Sequence, residues 1–224
     1  MRTQRFKDVV FGSTRPATRL NHHAWRVRLS GGVPAKLPRA AGGSLWLNVG
    51  SGHRPLPGFV NIDINLARRP DMWLDVRNGL PFEDGTVDRI YSCHVLEHFY
   101  YDELTGVLRD FHRVLRPGGG MRLLVPSMEE AARAYLAGDA SLLANFPRAT
   151  RSLGGRLFNT IFCDGQHRIG FDFSFAEELL QDAGFSDIRE AKKWESVLYP
   201  RELLQRVEPD ESWIDTSLIV EVIR

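Results

Sequence analysis

Residues 45–65 read LWLNVGSGHRPLPGFVNIDIN, and their reading decides the fold. Leu45, Trp46, Leu47 and Val49 form a short apolar run between Gly42-Gly43-Ser44 and Gly50-Ser51-Gly52. Such a run, bounded by turn residues, predicts a buried parallel strand. Phe59, Val60, Ile62 and Ile64 make a second strand with Asp63 near its end. A strand, small residues, then a strand closing on an acid is an order suited to a nucleotide-like ligand. The glycines let backbone N–H groups come close, and the acid accepts hydrogen bonds from ribose hydroxyls.

Downstream, residues 72–76 read as a third strand or its extended end, 78–85 as a turn-rich loop, and 87–92 as a fourth strand. Leu104, Val107, Leu108, Phe111, Val114 and Leu115 recur at helical spacing, which predicts an amphipathic helix over 103–115. Asp102 is placed to cap it, and Pro117-Gly118-Gly119-Gly120 to stop it. Residues 121–125 form a fifth strand. Ser127 with Glu130, and Ser174 with Glu177, have the spacing of capping boxes for two further helices. Residues 188–194 and 217–223 read as the last strands, with a short helix over 200–208 between them. Alternating strands and helices predict an open, mostly parallel α/β sheet.

The links are unusual. Only residues 51–58 separate Gly50 from Phe59, whereas a helical crossover takes about a dozen residues or more. The first helix is therefore a single turn or absent, and the link from Asp63 to Met72 is similarly short. Something else must cover one apolar face of the sheet. The candidates are the N-terminal arm, the 200–208 segment, or a second subunit in a homodimer.

The chain has 224 residues, of which 43% are hydrophobic and 25% charged, enough for one domain with a full core. A net charge of +1 lacks the electrostatic footprint of an extended nucleic-acid binder. Two cysteines, Cys93 and Cys163, make no disulfide framework and suit a reducing cytoplasm. No apolar run approaches the roughly 20 residues of a membrane span, and no apolar signal core follows the N-terminus. Residues 1–43 form a basic arm, in which nine Lys and Arg face the single acid Asp8. The domain proper is expected over 44–224, with an insertion at about 139–172.

The 45–65 stretch resembles motif I and the following acidic position of class I S-adenosylmethionine-dependent methyltransferases. Asn48, Gly50, Ser51 and Gly52 stand where that family has an acid and its glycines. Here the acid is an uncharged Asn, and His53-Arg54-Pro55 replaces the third glycine. Leu80-Pro81-Phe82 followed by Asp84-Gly85, and the Arg116-Pro117-Gly118-Gly119-Gly120 turn between helix and strand, extend the resemblance over about 45–195. It implies a Rossmann-like seven-stranded sheet with an antiparallel last strand, and S-adenosylmethionine as cofactor. It also implies ribose contact at Asp63, adenine contact at Asp75 and Val76, and a cofactor and substrate rim formed by Ser92, Cys93 and His94. Arg54, with backbone N–H groups of 51–54, is expected to replace the field of the missing helix at the methionine carboxylate. The short links look like those of bacterial methyltransferases associated with surface-polysaccharide synthesis.

His94-Val95-Leu96-Glu97-His98 also matches the inverted zincin pattern H-x-x-E-H, which would bind zinc on a long helix. Here it directly follows a strand, so a zinc peptidase is the lesser reading and no metal is expected. A non-catalytic methyltransferase-like partner module is the other alternative. For methyl transfer to a hydroxyl, His98 or His167 is the expected base, because imidazole works near neutral pH. Arg148, Arg151, Arg156 and Arg168 in the insertion predict a small, polar, anionic or saccharide-type acceptor.

Overall fold

The computed structural model describes residues 37–208 and 212–224. Most of the basic arm lies outside them. Among the described residues there are seven strands: β1 (Trp46–Val49), β2 (Val60–Asp63), β3 (Met72–Trp73), β4 (Val87–Cys93), β5 (Leu115–Pro126), β6 (Asp187–Ala191) and β7 (Ser217–Ile223). They form one sheet in the order β3-β2-β1-β4-β5-β7-β6. β1 to β5 run parallel, and β7 is antiparallel to both β5 and β6. The strand order reverses between β1 and β4, the point at which an open α/β sheet opens a crevice at its carboxyl edge.

The helices are α1 (Tyr101–Val114), α2 (Met128–Ala137), α3 (Leu153–Phe162), α4 (Phe173–Asp182), α5 (Arg201–Val207) and α6 (Ser212–Asp215). On one face of the sheet, Leu47, Val49, Ile62, Ile90 and Leu123 pack in a core with Leu104, Val107, Leu108 and Phe111 of α1 and Leu179 and Leu180 of α4. Each such buried side chain contributes about 1.5–3 kcal/mol, so the helical period of 103–115 is the pattern of a core face.

No α-helix connects β1 to β2, β2 to β3 or β3 to β4; only short 3₁₀ turns at Leu66–Arg68 and Val76–Asn78 interrupt these links. The opposite face is covered instead by the chain's own 198–207 segment. Leu198, Tyr199, Leu204 and Val207 bury against Phe59, Tyr91, Leu124 and Ile219. Trp46 meets Phe59 and Tyr199 edge-on, with ring centroids 5.2 and 5.5 Å apart. Arg122 is fully buried on the same side. Its guanidinium grips Glu208 through Nε (2.6 Å) and Nη2 (2.9 Å), and Glu221 through Nη1 (2.9 Å). It also donates to the carbonyls of Lys192 and Glu195, so the guanidinium's donors are all engaged. This triad fastens the covering segment to β5 and β7.

Several local expectations change. α1 begins two residues early: Tyr100 is the N-cap, Glu103 accepts from its N–H at 3.1 Å, and Asp102 lies inside the first turn. The Arg116–Gly120 stretch does not follow the helix as a separate turn but lies within β5, where the register to β4 shifts. A Cβ at Gly119 would lie 2.8 Å from the Arg116 carbonyl oxygen, so a side chain does not fit there. Asp172, not Ser174, caps α4 by accepting from the Phe175 N–H at 2.8 Å. Ser127 caps α2 as its spacing predicts. Within 139–172, α3 packs Leu153, Leu157 and Ile161 on Ala131, Ala134 and Leu143, a small core of its own. β6 stops at Ala191, short of Trp194.

Candidate active site

A cleft of about 350 Å³ opens at the carboxyl ends of β1 and β2, beside the switch point. Its apolar wall includes Val49, Ile62, Leu74, Val76, Val95 and Phe99; its polar groups include Asp63, Asp75, His94 and His98.

The glycine loop is shaped by two strands. Gly50 and Ser51 both donate their N–H to the Ile62 carbonyl (2.8 and 3.0 Å), and Gly52 donates to Asp63 Oδ2 (2.7 Å). Gly50 has φ +71°, and a Cβ there would lie 2.2 Å from Val95 Cγ2, so this position takes only glycine. Asp63 Oδ1 accepts from the Asn65 N–H at 2.6 Å. Each carboxylate oxygen thus holds one backbone donor and keeps further acceptor capacity. The carboxylate is nearly buried and fixed at the cleft wall.

Asp63, Asp75, Val76, Gly50, Gly52 and His94 are therefore brought together around one cleft. Asp75 is held by Arg77, with Nε on Oδ1 (2.9 Å) and Nη2 on Oδ2 (2.7 Å). Other expected residues fall elsewhere. The Asn48 side chain donates to the Arg54 carbonyl (3.2 Å) and to Asn61 Oδ1 (2.9 Å), bracing the loop from beneath. Three of the four amides of 51–54 are engaged inside the protein, because Arg54 N–H donates to the Ser51 carbonyl. Arg54 is exposed and does not line the cleft. His53 and Arg68 line it instead, with Arg68 Nη1 donating to His53 Nδ1 at 2.7 Å. Ser92 is buried, and Cys93 packs with the opposite core. Burial, then the nearby Glu97 carboxylate, pushes the Cys93 thiol up to about 12.

The histidines converge on Glu97, the acid of the H-x-x-E-H pattern. Glu97 is buried rather than cleft-lining, and among the described residues neither of its carboxylate oxygens has a hydrogen-bond partner. His94 Nδ1 lies 3.3 Å from Oε1, an ion-pair distance without hydrogen-bond alignment. His98 Nε2 and His167 Nε2 each lie 4.0 Å from the same oxygen. Burial opposes ionisation of Glu97, but the surrounding imidazoles outweigh it and hold its carboxyl below the usual range. Burial, only partly offset by Glu97, lowers the His167 imidazole.

The peptidase reading is corrected here. His94 sits at the end of β4 with φ +53°, Leu96–His98 is a 3₁₀ turn, and the long helix starts only at Tyr101. His94 and His98 do not share a helix face. The insertion arginines do not converge either. Arg148 pairs with Asp164 (2.8 Å), Arg156 donates to the Ala140 carbonyl, and Arg168 stacks 5.2 Å over the Tyr100 ring. None of the four lines the cleft, which carries Arg68 and Arg77 instead. Arg77 had a sequence signal, lying two residues after Asp75; Arg68 is brought over by the turn at Leu66–Arg68.

A model of the methyltransferase domain matches residues 65–123. A SAM-dependent methyltransferase from Archaeoglobus fulgidus superposes with TM-score 0.52 at 12% identity, over 98% of both chains. The chain has the fold of S-adenosylmethionine-dependent methyltransferases. A possible exported protein from Bordetella parapertussis superposes with TM-score 0.50 at 16% identity, over 96% of this chain and 71% of that one. No curated protein matches the sequence. The matched segment 65–123 includes the Asp75–Val76 wall, the β4 end and Glu97 with His94 and His98, while His167 lies outside it. Within this methyltransferase fold, the cleft lies where the strand order reverses. No helix among the described residues is long and apolar enough to cross a membrane.

Proposed function

We propose that this protein transfers a methyl group from S-adenosylmethionine to a small polar acceptor. The carrying observation is Asp63, a nearly buried carboxylate at the end of β2 onto which the glycine loop is folded. Its remaining lone pairs suit ribose hydroxyls, and the apolar slot of Ile62, Leu74 and Val76 suits a flat adenine. The sulfonium already activates the methyl, so the protein's task is to place the acceptor in line and exclude water.

The acceptor side lies toward His94, His98 and Phe99, the cleft residues contributed by the stretch after β4. Of the two expected bases, His98 lines the cleft and His167 does not. His98 Nδ1 lies 3.1 Å from the Gln166 carbonyl, which fixes the proton on Nδ1 and leaves Nε2 basic in the neutral ring. With the insertion arginines outside the cleft, a phosphate clamp is not part of the proposal. A neutral saccharide hydroxyl is the acceptor class that retains support, and it rests on the short-link resemblance.

Calorimetric titration with S-adenosylmethionine and, separately, NAD tests the reading. S-adenosylmethionine should bind and NAD should not. Asp63→Ala should weaken S-adenosylmethionine binding by roughly tenfold to a hundredfold, the worth of a charge-assisted hydrogen bond at about 1.5–3 kcal/mol. Unchanged affinity in a folded Asp63→Ala variant removes the ribose role, and a wild-type protein that binds no S-adenosylmethionine removes the activity.

A further inference from the structure

The buried Glu97 lacks what a buried carboxylate needs. An ionised carboxylate out of water costs several kcal/mol unless it is paired and hydrogen-bonded. Here neither oxygen has an aligned hydrogen bond among the described residues. His94 Nδ1 stands 3.3 Å from Oε1, and two further imidazoles, on the turn after β4 and the loop before α4, each place Nε2 4.0 Å away.

The two outer imidazoles are set in the same way. His98 Nδ1 faces the Gln166 carbonyl at 3.1 Å, and His167 Nδ1 faces the Ile161 carbonyl at 3.1 Å. A carbonyl accepts only, so both rings carry a proton on Nδ1, and in the neutral rings a lone pair on Nε2 is turned toward Glu97. Backbone carbonyls behind the rings are the usual orienting shell of metal-binding histidines. One carboxylate oxygen and the two Nε2 atoms lie within 4.8 Å of one another. Bonds of about 2.0–2.2 Å to a shared ion would need each ligand to move inward by about half an ångström. A third strut holds the two segments in register, since the Arg168 N–H donates to the Glu97 carbonyl at 2.7 Å.

We propose that Glu97, His98 and His167 bind one divalent transition-metal ion. Two imidazoles and one carboxylate select a borderline ion such as Zn²⁺, Co²⁺ or Fe²⁺; Mg²⁺ and Ca²⁺ prefer all-oxygen shells. The ion would supply the positive charge that the buried carboxylate faces. His98 stands at the cleft, so the ion would lie beside the acceptor side. That last point rests on the methyl-transfer reading; the binding of the ion does not. Ligation and general-base use compete for the same His98 Nε2 lone pair, so the two roles exclude each other. With the ion bound, an acceptor hydroxyl would be acidified by coordination.

The test uses the full chain, stripped with chelator and titrated with Co²⁺ by visible spectroscopy and with Zn²⁺ by calorimetry. One equivalent of each should bind, Zn²⁺ should displace Co²⁺, and the Co²⁺ bands should lack a thiolate charge-transfer component. His98→Ala and His167→Ala should each lower metal affinity at least tenfold, while His112→Ala, outside the cluster, leaves it unchanged. S-adenosylmethionine binding is measured on the same samples, so loss of cofactor binding with metal binding intact would sink only the methyl-transfer reading. A folded wild-type protein that takes up no stoichiometric Co²⁺ or Zn²⁺ overturns the metal site. So do folded His98→Ala and His167→Ala variants that bind as wild type. The wild-type titration decides even where a variant fails to fold.

Discussion

Two clusters of buried charge stand within one sheet, and they are built on opposite plans. Around Arg122, Glu208 and Glu221, every guanidinium donor has an acceptor. Glu221 also accepts from Ser196 Oγ and from the Val197 N–H. Around Glu97, a carboxylate of equal burial has three imidazoles near it and no aligned hydrogen bond among the described residues. The first cluster joins the 192–208 segment to the sheet, covering the face that the missing helices leave bare. The second lies beside the cleft, where satisfaction inside the chain would leave nothing for a ligand. Complete satisfaction marks a fastener; incomplete satisfaction beside a cleft marks a site.

Arg122→Met should give the largest effect. It leaves two buried carboxylates side by side and should cost about 3–5 kcal/mol in urea unfolding. Arg122→Met combined with Glu208→Leu and Glu221→Leu should recover most of that loss, because a packed apolar trio carries no desolvation cost. A triple variant as unstable as the single one would show that the carbonyl contacts, not the charges, hold the segment.

Glu97→Gln sharpens the contrast. In chelator-stripped protein, the swap keeps the shape and removes a buried charge that has no aligned hydrogen bond, so stability should not fall and should rise by about 1–3 kcal/mol. A loss as large as that of Arg122→Met would erase the distinction between the clusters. Arg148→Ala sets the floor. Its pair with Asp164 is 70% exposed on the arginine side, and the cost should stay below about 1 kcal/mol. A larger value would assign the insertion's ion pairs a structural weight that their exposure does not suggest.

The sheet was legible in the sequence because each strand carries its own signal. The apolar run Leu45–Val49 apart, the count of residues between Gly50 and Phe59 already excluded a helical crossover, since a chain segment has a fixed reach. Asp63 was legible for the same local reason: it ends a strand next to a glycine turn. Helix starts were read less well. Tyr100 and Asp172, not Asp102 and Ser174, hold the caps, because the choice among neighbouring polar residues depends on where the chain enters the helix.

What the sequence determined by itself is thus what rests on nearest neighbours: strand runs, turn glycines, the acid at the end of β2, and links too short for helices. The tertiary structure decided what depends on residues far apart in the chain. It placed Asn48 under the loop and Arg54 outside the cleft, and it kept the insertion arginines apart. It set Arg122 against Glu208, 86 residues away, and His167 against Glu97. The physical reason is that charge and hydrogen bonding act over a few ångströms in space, and only the folded chain fixes which distant groups come that close.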